Sequence, residues 1–236
     1  MILGNVCTRT CRFCAVKNGL PLPENPNEPK ALADAARRLG LRHVVITSVT
    51  RDDLILGGAP HFARCILALR RLHATCTIEV LTPDFQGSVE ALLTIVQTHP
   101  DVFNHNIETV PRLYPQIRPE AQYQRSLNLL RMVKELEPTI FTKSGIMVGL
   151  GETPDEVFAV LDDLRAHDCD FVTIGQYLAP SNAHHPVHRF APTGEFIEYA
   201  RYARQRAFRH VASGVFVRSS SHAEDALKDL VKNKLD

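Results

Sequence analysis

Short apolar runs with a period near two alternate with longer runs of helical period along almost the whole chain. The strand-like runs lie at 1–6, 43–49, 77–82, 102–108, 144–150 and 171–177, with a further one at 211–217. Helical periodicity falls between them at 29–39, 59–72, 89–97, 123–136, 155–167 and 194–206. A strand–helix rhythm sustained to this extent predicts a parallel α/β sheet. Thr153-Pro154-Asp155-Glu156 offers a cap residue, a proline in the first turn and two acids at the positive end of a helix dipole. Gly40 closes the first helix. Residues 18–29 carry four prolines and are expected to form a long surface loop. No repeat, low-complexity tract or linker interrupts the pattern, so one domain is expected over 1–236, with 207–236 as a C-terminal extension.

Composition adds exclusions. With 44% hydrophobic and 22% charged residues the 236-residue chain can bury a core, which argues against disorder. A net charge of +1, with the basic residues spread along helices, gives no attraction for nucleic acid. No apolar run is long enough to span a bilayer and no signal-peptide order begins the chain, so no membrane partner and a cytoplasmic location are expected (mitochondrial matrix or plastid in a eukaryote).

The cysteines change the picture most. Cys7, Cys11 and Cys14 form a C-x3-C-x2-C motif directly after the first strand-like run. Structural zinc sites and ordinary electron-transfer clusters use four protein ligands, so three thiolates leave one metal position open. A zinc site completed by a distant histidine, or a chance grouping, are the alternatives. Cys65 reads as a small buried hydrophobe within a helix. Cys76 and Cys169 precede strands, which puts them at the sheet end opposite the motif. In parallel barrels the reactive groups follow the strands. Alternation over 102–108 turns Asn104, Asn106 and Glu108 to one face, where amides and carboxylates suit ribose hydroxyls. His105 falls on the outer face. Glycines in Lys143 to Glu152 permit close approach of a flat ligand, and Arg51 and Arg218 are candidate anion binders.

The cysteine motif, with Phe13 before its last cysteine, resembles the signature of the radical S-adenosylmethionine (SAM) superfamily. Gly145 to Glu152 resembles that superfamily's adenine-contacting G-x-I-x-G-x-G-E stretch. The order of motifs over the chain resembles one family within it, lipoyl synthase. The match is carried by 1–14, 45–53, 101–112, 142–153, 175–178, 211–214 and 217–223. The resemblance implies a partial parallel (β/α)6 barrel in which Cys7, Cys11 and Cys14 hold a 4Fe-4S cluster whose fourth iron binds SAM. Reduction of the cluster then yields a 5′-deoxyadenosyl radical. It implies SAM contacts at Phe13, Thr47, Asn104, Asn106, Glu108, Lys143, Gly149 and Arg218. The family's reaction abstracts hydrogens at C6 and C8 of an octanoyl chain on a carrier lysine and inserts two sulfurs. The implied partners are an octanoylated lipoyl carrier domain or glycine cleavage H protein, and an electron donor such as flavodoxin or ferredoxin.

The chain departs from the family pattern in one respect. The sulfur of that reaction comes from a second, auxiliary 4Fe-4S cluster held by three upstream cysteines and a serine matching Ser220, and no cysteine precedes Cys7 here. The serine run also has Ser221 where the family has tyrosine. Either the chain begins inside a longer protein, the expected case, or the auxiliary cluster is missing. In the second case the chain would cleave SAM without sulfur insertion. A non-enzymatic iron–sulfur or zinc module is the remaining alternative.

Overall fold

The computed structural model describes residues 1–220. Its elements are β1 (Val6–Cys7), β2 (Lys17–Asn18), α1 (Glu28–Arg38), β3 (His43–Thr47), α2 (Ala59–Leu72), β4 (Thr77–Leu81), α3 (Val89–Val96), β5 (Val102–Asn104), α4 (Tyr114–Ile117), α5 (Tyr123–Leu136), β6 (Phe141–Val148), α6 (Pro154–Ala166), β7 (Phe171–Gln176), α7 (Thr193–Gln205) and β8 (His210–Gly214). Six strands form one all-parallel sheet in the order β3-β4-β5-β6-β7-β8. Among the described residues nothing pairs β8 back to β3, so this is the open, partial barrel expected. The sixth strand is β8, which makes the start of the expected extension an integral part of the sheet.

The run at 1–6 differs from expectation. Ile2 makes a single bridge to Ser48, and then Leu3 and Gly4 take φ of 66° and 88°, which no strand accommodates. Only Val6 and Cys7 resume pairing, with Lys17 and Asn18. The run at 102–108 also breaks, because Glu108 sits at φ 67° and rejoins the sheet only as a bridge to Ile146. At the opposite extreme β6 begins earlier than its apolar pattern, because Phe141, Thr142 and Lys143 pair with Val102, Phe103 and Asn104.

Helices cover the outer face in two apolar blocks. Phe62, Cys65, Ile66 and Leu69 give α2 a buried stripe against α1, β3 and β4, while Val157, Val160, Leu161 and Leu164 do the same for α6 beside β6 and β7. The predicted start of α6 is a capping box, with the Thr153 hydroxyl accepting from Glu156 N–H and the Glu156 carboxylate from Thr153 N–H.

Inside the curve of the sheet a polar layer crosses β4, β5 and β6. Lys143 Nζ donates to Glu79 at 2.9 and 3.1 Å, and Asn104 Nδ2 donates to the same carboxylate at 2.8 Å. All three side chains are buried. Burial works against the Glu79 charge, while His43, Lys143 and Asn104 hold its carboxyl below the ordinary glutamate value. Removing one partner strands the other in a medium that cannot solvate it. Lys143→Met is therefore expected to cost about 3–5 kcal/mol of unfolding free energy, measured by urea denaturation of the apoprotein; a loss under about 1 kcal/mol would show that the pair bears little of the stability.

Candidate functional site

The cysteine loop has almost no regular structure and is held from outside. Its ends are closed by the β1–β2 pairing and by Gly19 N–H donating to the Cys7 carbonyl at 3.0 Å. Thr8 N–H donates to the Thr50 carbonyl at 3.1 Å, and Asp52 N–H donates to the Thr8 hydroxyl at 3.0 Å, which ties the loop to the end of β3. Arg9 supplies the strongest anchor. Its guanidinium grips Asp52 with Nε at 2.7 Å and Nη2 at 3.0 Å, and Nη2 also reaches Asp84 beyond β4 at 2.5 Å. Burial alone would raise the Asp84 carboxyl, but Arg9 holds it well below the usual carboxylate range. On the other side Arg12 N–H donates to the Ile117 carbonyl at 2.8 Å and Thr10 bonds Glu120.

A strap from 181 to 189 crosses the same loop. His185 N–H donates to the Arg12 carbonyl at 2.9 Å, His184 Nε2 meets the Cys14 carbonyl at 3.1 Å, and Tyr177 Oη donates to the His185 carbonyl at 2.7 Å.

These anchors set the three thiols around the mouth of a cavity of about 540 Å³ whose wall also holds Thr47, Ser48, Thr82, Asn106, Glu108 and Arg118. The Arg9 N–H points at Cys7 Sγ at 3.4 Å, the kind of donor that thiolate sulfur on iron accepts. Burial pushes the Cys11 thiol up to about 12, with Arg118 opposing and Glu108, Cys7 and Cys14 adding to the rise. Burial also raises Cys14. Thiols so placed become thiolates only when positive metal arrives. Among the described residues no three His, Cys, Asp or Glu side chains group around a single metal-ion position. A four-iron cluster asks for something else, one thiolate on each of three irons.

A second cavity of about 250 Å³ shares Phe13, Asn106 and Glu108 with the first and continues along β6 and β7 past Gly145, Thr173, Gln176 and Tyr177 to Arg218 and Ser219. A Cβ on Gly145 would stand 2.8 Å from Thr173 Oγ1 and 2.9 Å from Asn106 Oδ1. A Cβ on Gly175 would strike the Val217 carbonyl. The glycines are thus where the cleft is narrowest. Ser48 Oγ, Thr82 Oγ1, Asn106 Oδ1 and Arg118 Nε are buried without partners. Polar atoms left this way in a cavity wall fit a polar ligand. Thiols, unpartnered polar atoms and an open floor together fit a cluster and a nucleoside-bearing ligand side by side.

Of the residues singled out in sequence, Cys7, Cys11, Cys14, Phe13, Thr47, Asn106, Glu108 and Arg218 line this cleft. Asn104 and Lys143 do not; they form the buried layer around Glu79. Gly149, at φ 101°, instead lets the end of β6 pack against Gln176 and the Arg189 carbonyl. Arg51 is not an anion site: it is buried, donates to both oxygens of Asp53 at 2.9 Å and reaches the Leu3 carbonyl. Ser220 is exposed beside the cavity-lining Ser219, and Ser221 lies outside the described residues. Cys65, Cys76 and Cys169 are fully buried, and His105 is satisfied between the Thr82 carbonyl and Ser126. Arg9, Arg118 and His184 were not singled out; each acts through partners far away in sequence.

The fold and cleft define a protein of the radical SAM superfamily, whose family model matches residues 1–164. Solved structures support the fold. HydG, a maturase of the [FeFe]-hydrogenase, aligns with a TM-score of 0.70 at 13% identity over 87% of this chain and 49% of its own. Streptococcus suis SuiB bound to S-adenosylmethionine aligns at 0.69 and 11% identity over 89% of this chain and 48% of its own. Curated relatives are far more similar. The lipoyl synthase of Caldanaerobacter subterraneus subsp. tengcongensis is 59% identical over 96% of this chain and 80% of its own length. That of Caldicellulosiruptor bescii is 57% identical over 99% and 80%, and that of Rubrobacter xylanophilus is 52% identical over 100% and 73%. This chain belongs to the lipoyl synthase family, and so to the radical SAM sulfurtransferases.

The Asp84 charge makes the loop anchor sensitive to acid. A carboxyl lowered by folding stabilises the native state fully above its unfolded value, about 3.9, and that contribution is lost as pH falls further toward the folded value. Apoprotein stability is expected to fall below about pH 4, and Asp84→Asn to flatten that fall while lowering stability at pH 7. Parallel pH profiles for the two proteins would remove Asp84 from the account.

Proposed function

We propose that Cys7, Cys11 and Cys14 hold a 4Fe-4S cluster in the larger cavity and that SAM binds from its open iron along the smaller one. The observation that carries this reading is the pair of joined cavities, one ringed by the three thiols and the other floored by glycine. When bound and reduced, the cluster supplies one electron to the sulfonium and so gives the radical that abstracts hydrogen. The chain's own groups do the rest. Phe13 forms the wall between the two cavities, Asn106 and Glu108 offer an amide and a carboxyl to ribose hydroxyls, and Gly145 with Gly175 leaves room for the flat base. Arg9 and the 181–189 strap fix the loop so that the thiols keep their spacing.

The substrate is an octanoyl chain on a lysine of a lipoyl carrier domain or glycine cleavage H protein, converted to lipoyl by sulfur insertion at C6 and C8. A flavodoxin or ferredoxin is the matching electron donor. Among the described residues no helix is long and apolar enough to cross a membrane. The second reading, SAM cleavage without sulfur insertion, draws on the burial of Cys65, Cys76 and Cys169, which are not placed to ligate a further cluster.

Anaerobic reconstitution of this chain is expected to give about four irons per molecule, lost in Cys7→Ala, Cys11→Ala or Cys14→Ala. Incubation with SAM, dithionite and an octanoyl-lysine peptide is expected to release 5′-deoxyadenosine in the parent only. Lipoyl product, which needs a sulfur source beyond this one cluster, would favour the first reading; about four irons with 5′-deoxyadenosine and no lipoyl product would favour the second; absence of 5′-deoxyadenosine from a fully loaded protein would overturn both.

A further inference from the structure

Arg118 is a buried cation in the wall of the larger cavity that no carboxylate among the described residues neutralises. The residue is 7% exposed. Nη1 donates to the Asn106 carbonyl at 2.9 Å and the Ile107 carbonyl at 3.2 Å, and the guanidinium lies 5.2 Å from the centre of the Tyr114 ring. Nε is buried and donates to nothing among the described residues. All these contacts are neutral. Glu108 is near enough to feel the charge, yet forms no ion pair with it among the described residues.

The arginines of the cysteine loop itself are handled differently. Arg9 is neutralised by Asp52 and Asp84, and Arg12 stands in solvent. A guanidinium withdrawn from water without a counter-charge is costly, so its presence here makes physical sense when an anion shares the cavity. The loop indicates which anion. Arg12 N–H bonds the Ile117 carbonyl and Thr10 bonds Glu120, so the chain on either side of Cys11 is pinned on either side of Arg118. Three thiolates outweigh the charge of an oxidised 4Fe-4S core, and reduction adds a further negative charge to the same small volume.

We propose that Arg118 is a positioning residue that complements the negative charge of the thiolate-bound cluster at Cys11, easing its assembly and raising its reduction potential. The proposal rests on the reading that Cys7, Cys11 and Cys14 hold the cluster. It assigns Arg118 a role toward the charge of the cluster, while the hydrogen bonds to Asn106 and Ile107 keep the guanidinium in place.

The test compares Arg118→Gln, which keeps an amide donor but no charge, with Arg118→Lys, which keeps the charge. Iron content, apoprotein melting temperature and the midpoint potential from an EPR-monitored redox titration are read on all three proteins. The expected result is a more negative midpoint for R118Q, with severalfold less reduced cluster at a fixed solution potential, and a midpoint near the parent's for R118K. R118Q that takes up no iron while R118K loads normally would support the charge role in assembly. Equal midpoints in loaded parent and R118Q, or the same loss of iron in both variants, would overturn the proposal and leave Arg118 a packing residue. Failure of the parent itself to assemble a cluster would instead overturn the cysteine reading.

Discussion

Three cysteine thiols are gathered at the mouth of one cleft by a loop that has almost no regular structure of its own, and the contacts around that loop answer to this constraint. Like charges repel, and burial favours their protonated forms, as the raised Cys11 and Cys14 show. The loop cannot store the needed order in its own backbone ladder. Arg9 carries it instead, by spanning Asp52 after β3 and Asp84 after β4 with one buried guanidinium. Two strand ends thus fix the height of the thiols above the sheet. The Ile117 and Glu120 contacts and the 181–189 strap fix their lateral position.

The interior of the open barrel divides by depth. Toward the strand starts, Asn104 and Lys143 both donate to the buried Glu79 carboxylate and close the floor. Toward the strand ends, Asn106, Glu108, Thr173 and Gln176 line space, and Gly145 and Gly175 keep that space from filling. A sheet with polar groups on its inner face at both depths therefore has one layer that binds itself and one layer left for a ligand. Arg118 lines the cavity of the second, and its hydrogen-bond partners among the described residues are neutral.

The regular elements were legible in the sequence because burial imposes periods of two and 3.6, and the chain keeps them from β3 to β8. Irregular backbone was not: nothing in the letters at Leu3 or Glu108 announces a positive φ. That Cys7, Cys11 and Cys14 lie together was legible from their spacing, and that Asn106 and Glu108 face the same cleft from alternation. Alternation does not assign depth, which is why Asn104 and Lys143 looked like ligand contacts and are partners of Glu79. Arg9, Arg118 and His184 left no local signal. Arg9 finds Asp84 75 positions away and His184 finds Cys14 170 positions away, so only the folded chain reveals them.

The central claim is that the three cysteines leave one iron of the cluster open to SAM in the adjoining cavity. Mössbauer spectroscopy of protein reconstituted with iron-57 tests it most directly, before and after adding SAM. The account predicts that one iron site per cluster changes its isomer shift on SAM addition while the thiolate-bound remainder keep theirs. A spectrum unaltered by SAM, from a fully assembled cluster, would contradict it.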